Sequence, residues 1–156
     1  MLGRLTVTRT FSTTASPSAV WDALEAAPRW PEVLTDLIEA RIAPDGVLAE
    51  GATIHTVAKP GTRAVDMTYR VVAADPRLSL TIEADKVGEF RARSEYLIEP
   101  FAAGARVTLT SQVEPVRWLH RIGVALARRS YTRQFEAALE LRMRPMLMLA
   151  ERMQPA

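Results

Sequence analysis

A chain of 156 residues, 48% apolar and 24% charged, has the length and balance of one globular domain that buries most of its unfolded surface. The absence of cysteine excludes a disulfide framework, a thiol nucleophile and a thiolate metal site together. His55 and His120 are distant in sequence and give poor support to a histidine metal centre, so no metal and no other cofactor is expected.

No apolar run reaches the ~18–20 residues of a membrane span. The N-terminal stretch lacks a long apolar core and a small-residue cleavage site, so a cytoplasmic protein is expected. Net charge is only +2, yet it is unevenly spread: residues 116–156 carry eight arginines against three acids, Glu136, Glu140 and Glu151. Such a face can meet anionic lipid or nucleic acid, or simply be solvated.

Leu5, Val7 and Phe11 alternate with threonines, which predicts a strand over 4–14 with Arg9 on its apolar face. Ser16-Pro17 reads as an N-cap followed by proline at the first helical position. The helix runs to about Ala26 and turns Ala19, Val20, Ala23 and Leu24 inward, with Trp21 at the border. Pro28 and Pro31 bracket a short helical turn carrying Trp30.

Strands follow at 37–43, with Ile38, Ala40 and Ile42 on one face, and at 52–58, where His55 fits either face. Pro44-Asp45-Gly46 and Lys59-Pro60-Gly61-Thr62 supply turns. Val65, Met67, Tyr69 and Val71 alternate with polar residues; Leu78, Leu80 and Ile82 continue the pattern after Asp75-Pro76. Phe90 to Ile98 and Val107 to Val113 complete about seven strands, joined by tight turns as an antiparallel meander.

The last third is helical but not uniform. Leu119, Ile122 and Leu126 share one stripe; Tyr131, Phe135, Leu139, Met143, Met146 and Ala150 share another, out of phase across Arg128-Arg129-Ser130. A short helix or lid near 116–128 is therefore expected, then a main helix from about 131 to 153, bent at Pro145. One domain spans the chain. A long helix lying across a curved sheet leaves a cavity between them.

The segment Ala15-Ser16-Pro17-Ser18-Ala19-Val20-Trp21-Asp22-Ala23-Leu24, then Arg29-Trp30-Pro31-Glu32, a meander and a long terminal helix, resembles the START-like, birch-pollen-allergen-like (SRPBCC) superfamily. Within it the likeness is greatest to the polyketide cyclase/dehydrase and lipid-transport group. The resemblance implies an α+β helix-grip fold: a curved antiparallel sheet of about seven strands around a long C-terminal helix, with two short helices after the first strand. Members bind lipids, sterols, quinones or hormones, or cyclise polyketides, so the fold does not select a function.

Strand and helix faces assign Met67, Tyr69, Leu80, Phe90, Ser94, Tyr96, Leu109, Ser111, Tyr131, Phe135, Leu139 and Met143 as candidate ligand-binding residues. Apolar walls with a few hydroxyls are the usual make-up of a small-molecule site. Ser94 and Tyr96, two apart on one strand, point the same way. Arg9 and Arg142 fall on apolar stripes and need a partner, either a ligand carboxylate or water at an element's end. Glu140 and Asp66 are expected to face outward.

The expected function is binding or transport of a hydrophobic small molecule such as a lipid, quinone or polyketide-like compound. The alternative is a cyclase or aromatase using Tyr69, Tyr96 or Arg9. A weak contact with anionic membrane through the basic C-terminal segment is a third expectation; nucleic acid is not an expected partner.

Overall fold

Alternating β-branched residues build the sheet. The computed structural model describes residues 3–59, 61–86 and 90–155, without the side chains of 85 and 86. Strand β1 (Leu5–Thr13) leads to α1 (Pro17–Glu25), a 3-10 helix (Ala27–Glu32), and then β2 (Leu37–Ala43), β3 (Thr53–Ala58), β4 (Val65–Asp75), β5 (Ser79–Lys86), β6 (Phe90–Phe101) and β7 (Gly104–Pro115). Two helices close the chain, α2 (Trp118–Leu126) and α3 (Arg128–Met153). Pro60 of the expected Lys59–Thr62 turn and Glu89 lie outside the described residues.

The seven strands form one antiparallel sheet in the order β1-β7-β6-β5-β4-β3-β2. β2 to β7 are a meander, and β1 returns beside β7, pairing Leu5 with Val113 and Phe11 with Val107. The fold is the expected helix grip. Gly104 opens β7 so close to the end of β1 that a Cβ there would lie 2.0 Å from the Thr13 carbonyl oxygen.

Ser16 caps α1 as its sequence implies: its hydroxyl accepts from the Ala19 amide at 3.1 Å. Trp21 is not at a border but only 4% exposed, within the core that α1 makes with β1 and α3. Ile38 departs from its expected face. A register shift between Leu37 and Glu39 moves one residue out of alternation, leaving Ile38 exposed while Ala40 and Ile42 stay buried.

The helical third divides at Ala127, close to the expected phase slip. Pro145 stands inside α3 without ending it. The C-terminal half of α3 packs on α1 and β1, burying Met143, Met146, Leu147, Leu149 and Ala150. Its first three turns are mostly exposed, Tyr131 included. Arg9 reaches from β1 to Glu140 of α3 in an ion pair, so Glu140 is held against the sheet edge rather than free in solvent.

Candidate functional site

Where α3 crosses the inner face of the sheet, a cavity of about 550 Å³ remains between them. Period-two alternation fixes its wall. Ile54, Thr56 and Ala58 come from β3, Met67 and Tyr69 from β4, and Ile82 from β5. Phe90, Ala92, Ser94 and Tyr96 come from β6, and Leu109, Ser111 and Val113 from β7. Helix α3 contributes Phe135, Ala138, Leu139, Leu141, Arg142, Met143 and Met146. Leu24, Trp30, Leu34, Asp36 and Leu37 close one side. Trp30 is held there by its indole N–H, which donates to the Ala23 carbonyl at 2.9 Å.

Ten of the twelve candidate residues stand in this wall. Leu80 does not: at 3% exposure it is spent on core packing. Tyr131 does not either, because the start of α3 stands away from the sheet. None of residues 116–130 lines the cavity, so α2 is not a cover over it in this conformation.

Two sets of polar groups stand out. Ser94 and Ser111 are register partners on β6 and β7, and their hydroxyls lie 2.9 Å apart, each satisfying the other. The second set is Arg142 with Tyr69 and Tyr96. Arg142 stands in the wall with Tyr69, Tyr96 and Asp36, all of which act on its charge. It keeps substantial accessible surface while standing in the cavity wall.

Burial works against the Arg142 cation; the oxygens of Tyr69, Tyr96 and Asp36 outweigh it and hold the guanidinium's pKa above its ordinary value. Tyr96 is shifted up as well, first by burial and then by Tyr69, with Arg142 opposing. It therefore stays a neutral phenol at physiological pH. Among the described residues Tyr96 has no hydrogen-bond partner, and Arg142 makes no ion pair. A guanidinium carries five N–H donors, so Arg142 retains donors that protein groups do not use. Sequence reasoning noticed Arg142 as a charge on an apolar stripe but could not tell the cavity from a helix end.

A second concavity, about 530 Å³, lies on the opposite face among Arg4, Thr68, Arg70, Glu83, Arg91, Arg93 and Glu114. Its charges are largely spent on one another, with Arg93 2.7 Å and Arg70 3.2 Å from Glu83, and Arg4 3.3 Å from Glu114. It is an ion-paired surface groove. His55 is on this outer face too, between the hydroxyls of Thr53 at 3.0 Å and Thr68 at 3.2 Å. Among the described residues no cluster of three His, Asp or Glu is positioned to hold a metal ion.

A family model described as polyketide cyclase / dehydrase and lipid transport matches residues 4–141. The chain belongs to that family. No curated protein matches it. Among solved structures, Ara h 8.0201 superposes with a TM-score of 0.74 at 9% identity, covering 95% of this chain and 98% of that one. Norcoclaurine synthase from Thalictrum flavum, in complex with dopamine and hydroxybenzaldehyde, gives 0.70 at 12% identity over 98% and 90%. Zhui aromatase/cyclase from Streptomyces gives 0.68 at 14% identity over 96% and 94%. At these identities the likeness is one of fold, the helix grip.

Proposed function

We propose that the chain binds a hydrophobic small molecule with one oxygen-bearing end, directed at Arg142. The observation that carries this reading is the guanidinium itself: a cation with spare donors in a mostly apolar cavity wall. Burial of the ligand's apolar surface against Met67, Phe90, Phe135 and Met143 supplies the driving force. Arg142 supplies orientation, because a carboxylate, enolate or ketone oxygen replaces the water it would otherwise need. Norcoclaurine synthase, whose fold is similar, is in complex with dopamine and hydroxybenzaldehyde, which supports a ligand carrying an aromatic ring.

Titration with 2-naphthoate and with naphthalene, followed by calorimetry, tests the reading. The wild type should prefer the carboxylate. Arg142→Met should weaken 2-naphthoate about tenfold or more, since a hydrogen bond to a charged group is worth about 1.5–3 kcal/mol, and change naphthalene little. Equal losses for both compounds, or no binding of either, would refute it.

A second reading is a cyclase or aromatase acting in the same cavity. The neutral, unpartnered Tyr96 phenol beside a cation favours it, because the pair could donate to a ketone oxygen and stabilise the negative charge that builds on it. Turnover of a poly-β-ketone thioester that vanishes in Tyr96→Phe, with binding intact, would select this reading over simple carriage.

A further inference from the structure

We infer that α2 is a docking helix for anionic lipid bilayers, lying in the plane of the membrane surface. Its amphipathicity points outward. Trp118, Leu119, Ile122 and Leu126 are 67%, 63%, 39% and 84% exposed, and at 3.6 residues per turn they fall within an arc of about 100°. Val124, on the opposite side, is the one buried residue of α2. A helix whose apolar arc faces water needs an occupant for it.

The outward orientation is built into the fold. The Arg121 guanidinium turns back to donate to the Pro115 carbonyl at 2.8 Å, with Glu114 3.6 Å away. Gly3, ahead of β1, lies against the α2 backbone so closely that a Cβ would sit 2.7 Å from the Arg121 Cα. With Val124 inserted beneath, α2 is fixed from below and presents its apolar arc to solvent.

Charge identifies the occupant. Residues 116–135 contain five arginines and no acid. Among the described residues Arg117, Arg128, Arg129 and Arg133 make no ion pair. They bracket the apolar arc at both ends, where their stems can lie along acyl chains and their heads meet lipid phosphates. A two-fold contact with a second copy would set these arginines against their own equivalents. Nucleic acid would satisfy the arginines but leave the apolar arc in water. An anionic bilayer satisfies both. Among the described residues no helix is long and apolar enough to cross a membrane, so the contact is peripheral. The inference does not rest on what fills the cavity.

The test is flotation of the full chain with phosphatidylcholine vesicles, with and without about 30% phosphatidylserine, together with tryptophan emission. Trp21 is buried and Trp30 half-buried, so a blue shift on binding reports chiefly on Trp118. The wild type should bind the anionic vesicles, shift its emission, and lose about tenfold or more of its affinity in about 0.5 M salt. Leu119→Glu/Leu126→Glu should lose at least about tenfold with an unchanged melting temperature, because both residues are exposed in the free protein. Arg128→Glu/Arg129→Glu should lose a similar factor on anionic vesicles only. If the leucine pair melts early, Leu126→Gln alone carries the same expectation at smaller amplitude. Absence of binding to anionic vesicles at low salt, or binding that neither pair changes, overturns the inference. A wild-type dimer that Leu126→Glu dissociates, without vesicle binding, would assign the face to self-association instead.

Discussion

Helices α2 and α3 both carry a clear apolar stripe, yet only one stripe is covered. The stripe of α3 ends in Leu147, Leu149 and Ala150, sealed against α1 and β1. That of α2 faces away from the sheet, with Leu126 84% exposed. The two helices are separated by a single residue, Ala127. Periodicity creates a stripe, but the stripe becomes core only where another element lies across it. Between these extremes the middle of α3 borders the cavity with Phe135, Leu139 and Met143 and leaves Leu141 76% exposed.

The contrast can be broken by mutation, and the largest effect belongs to the covered stripe. Leu149→Ala should cost about 2–5 kcal/mol, since the site is fully enclosed and cannot collapse around the lost atoms. Leu126→Ala should stay within about 0.5 kcal/mol. Urea unfolding of the two variants measures the difference directly. Comparable losses would mean that α2 is covered in solution.

Within the cavity the expected effects are smaller. Ser111→Ala removes one hydroxyl of a buried pair and leaves Ser94 without its partner, at a cost of about 1 kcal/mol in the same unfolding assay. Arg142→Met should leave stability within about 0.5 kcal/mol, because the guanidinium keeps solvent access and makes no ion pair among the described residues, even as it weakens carboxylate binding. A variant that lost both would make Arg142 a structural residue.

The smallest effect concerns pH. The Tyr96 phenol has a raised pKa in the folded state, so the folded protein retains that proton longer than the unfolded chain. Its contribution is fully present below the ordinary tyrosine value, about 10, and is lost as pH rises through the higher folded value. Tyr96→Phe should therefore differ little from wild type at pH 7, and should show a shallower loss of stability above about pH 10. Arg142 and Tyr69 face the same phenol and remain in both proteins. Thermal melts across that range supply the check.

Much of the fold was legible because its signals are local. Threonine alternation in β1, the Ser16-Pro17 cap and the phase slip across Arg128-Arg129-Ser130, a residue or more past the observed break at Ala127, each act over a few residues. What escaped sequence reasoning depends on partners distant in the chain. Ile38 turns outward because of a bulge defined only by pairing with β3. Ser94 finds Ser111 rather than acting with Tyr96, a consequence of β6–β7 register. Arg9 and Arg142 looked alike as charges on apolar stripes; one meets Glu140, and the other faces the cavity with its tyrosines. Ten of the twelve candidates reached the wall, seven through strand alternation and three through the stripe of α3, while Leu80 and Tyr131 missed it because a face continues past the ends of a cavity.

The most direct measurement is a crystal structure of the wild type with 2-naphthoate. The carboxylate should lie about 2.7–2.9 Å from the Arg142 guanidinium, as charge-assisted hydrogen bonds do, with the rings between Met67 and Phe135. A naphthoate bound in the ion-paired outer groove or on α2, with the cavity holding only water, would contradict the assignment of the cavity as the ligand site.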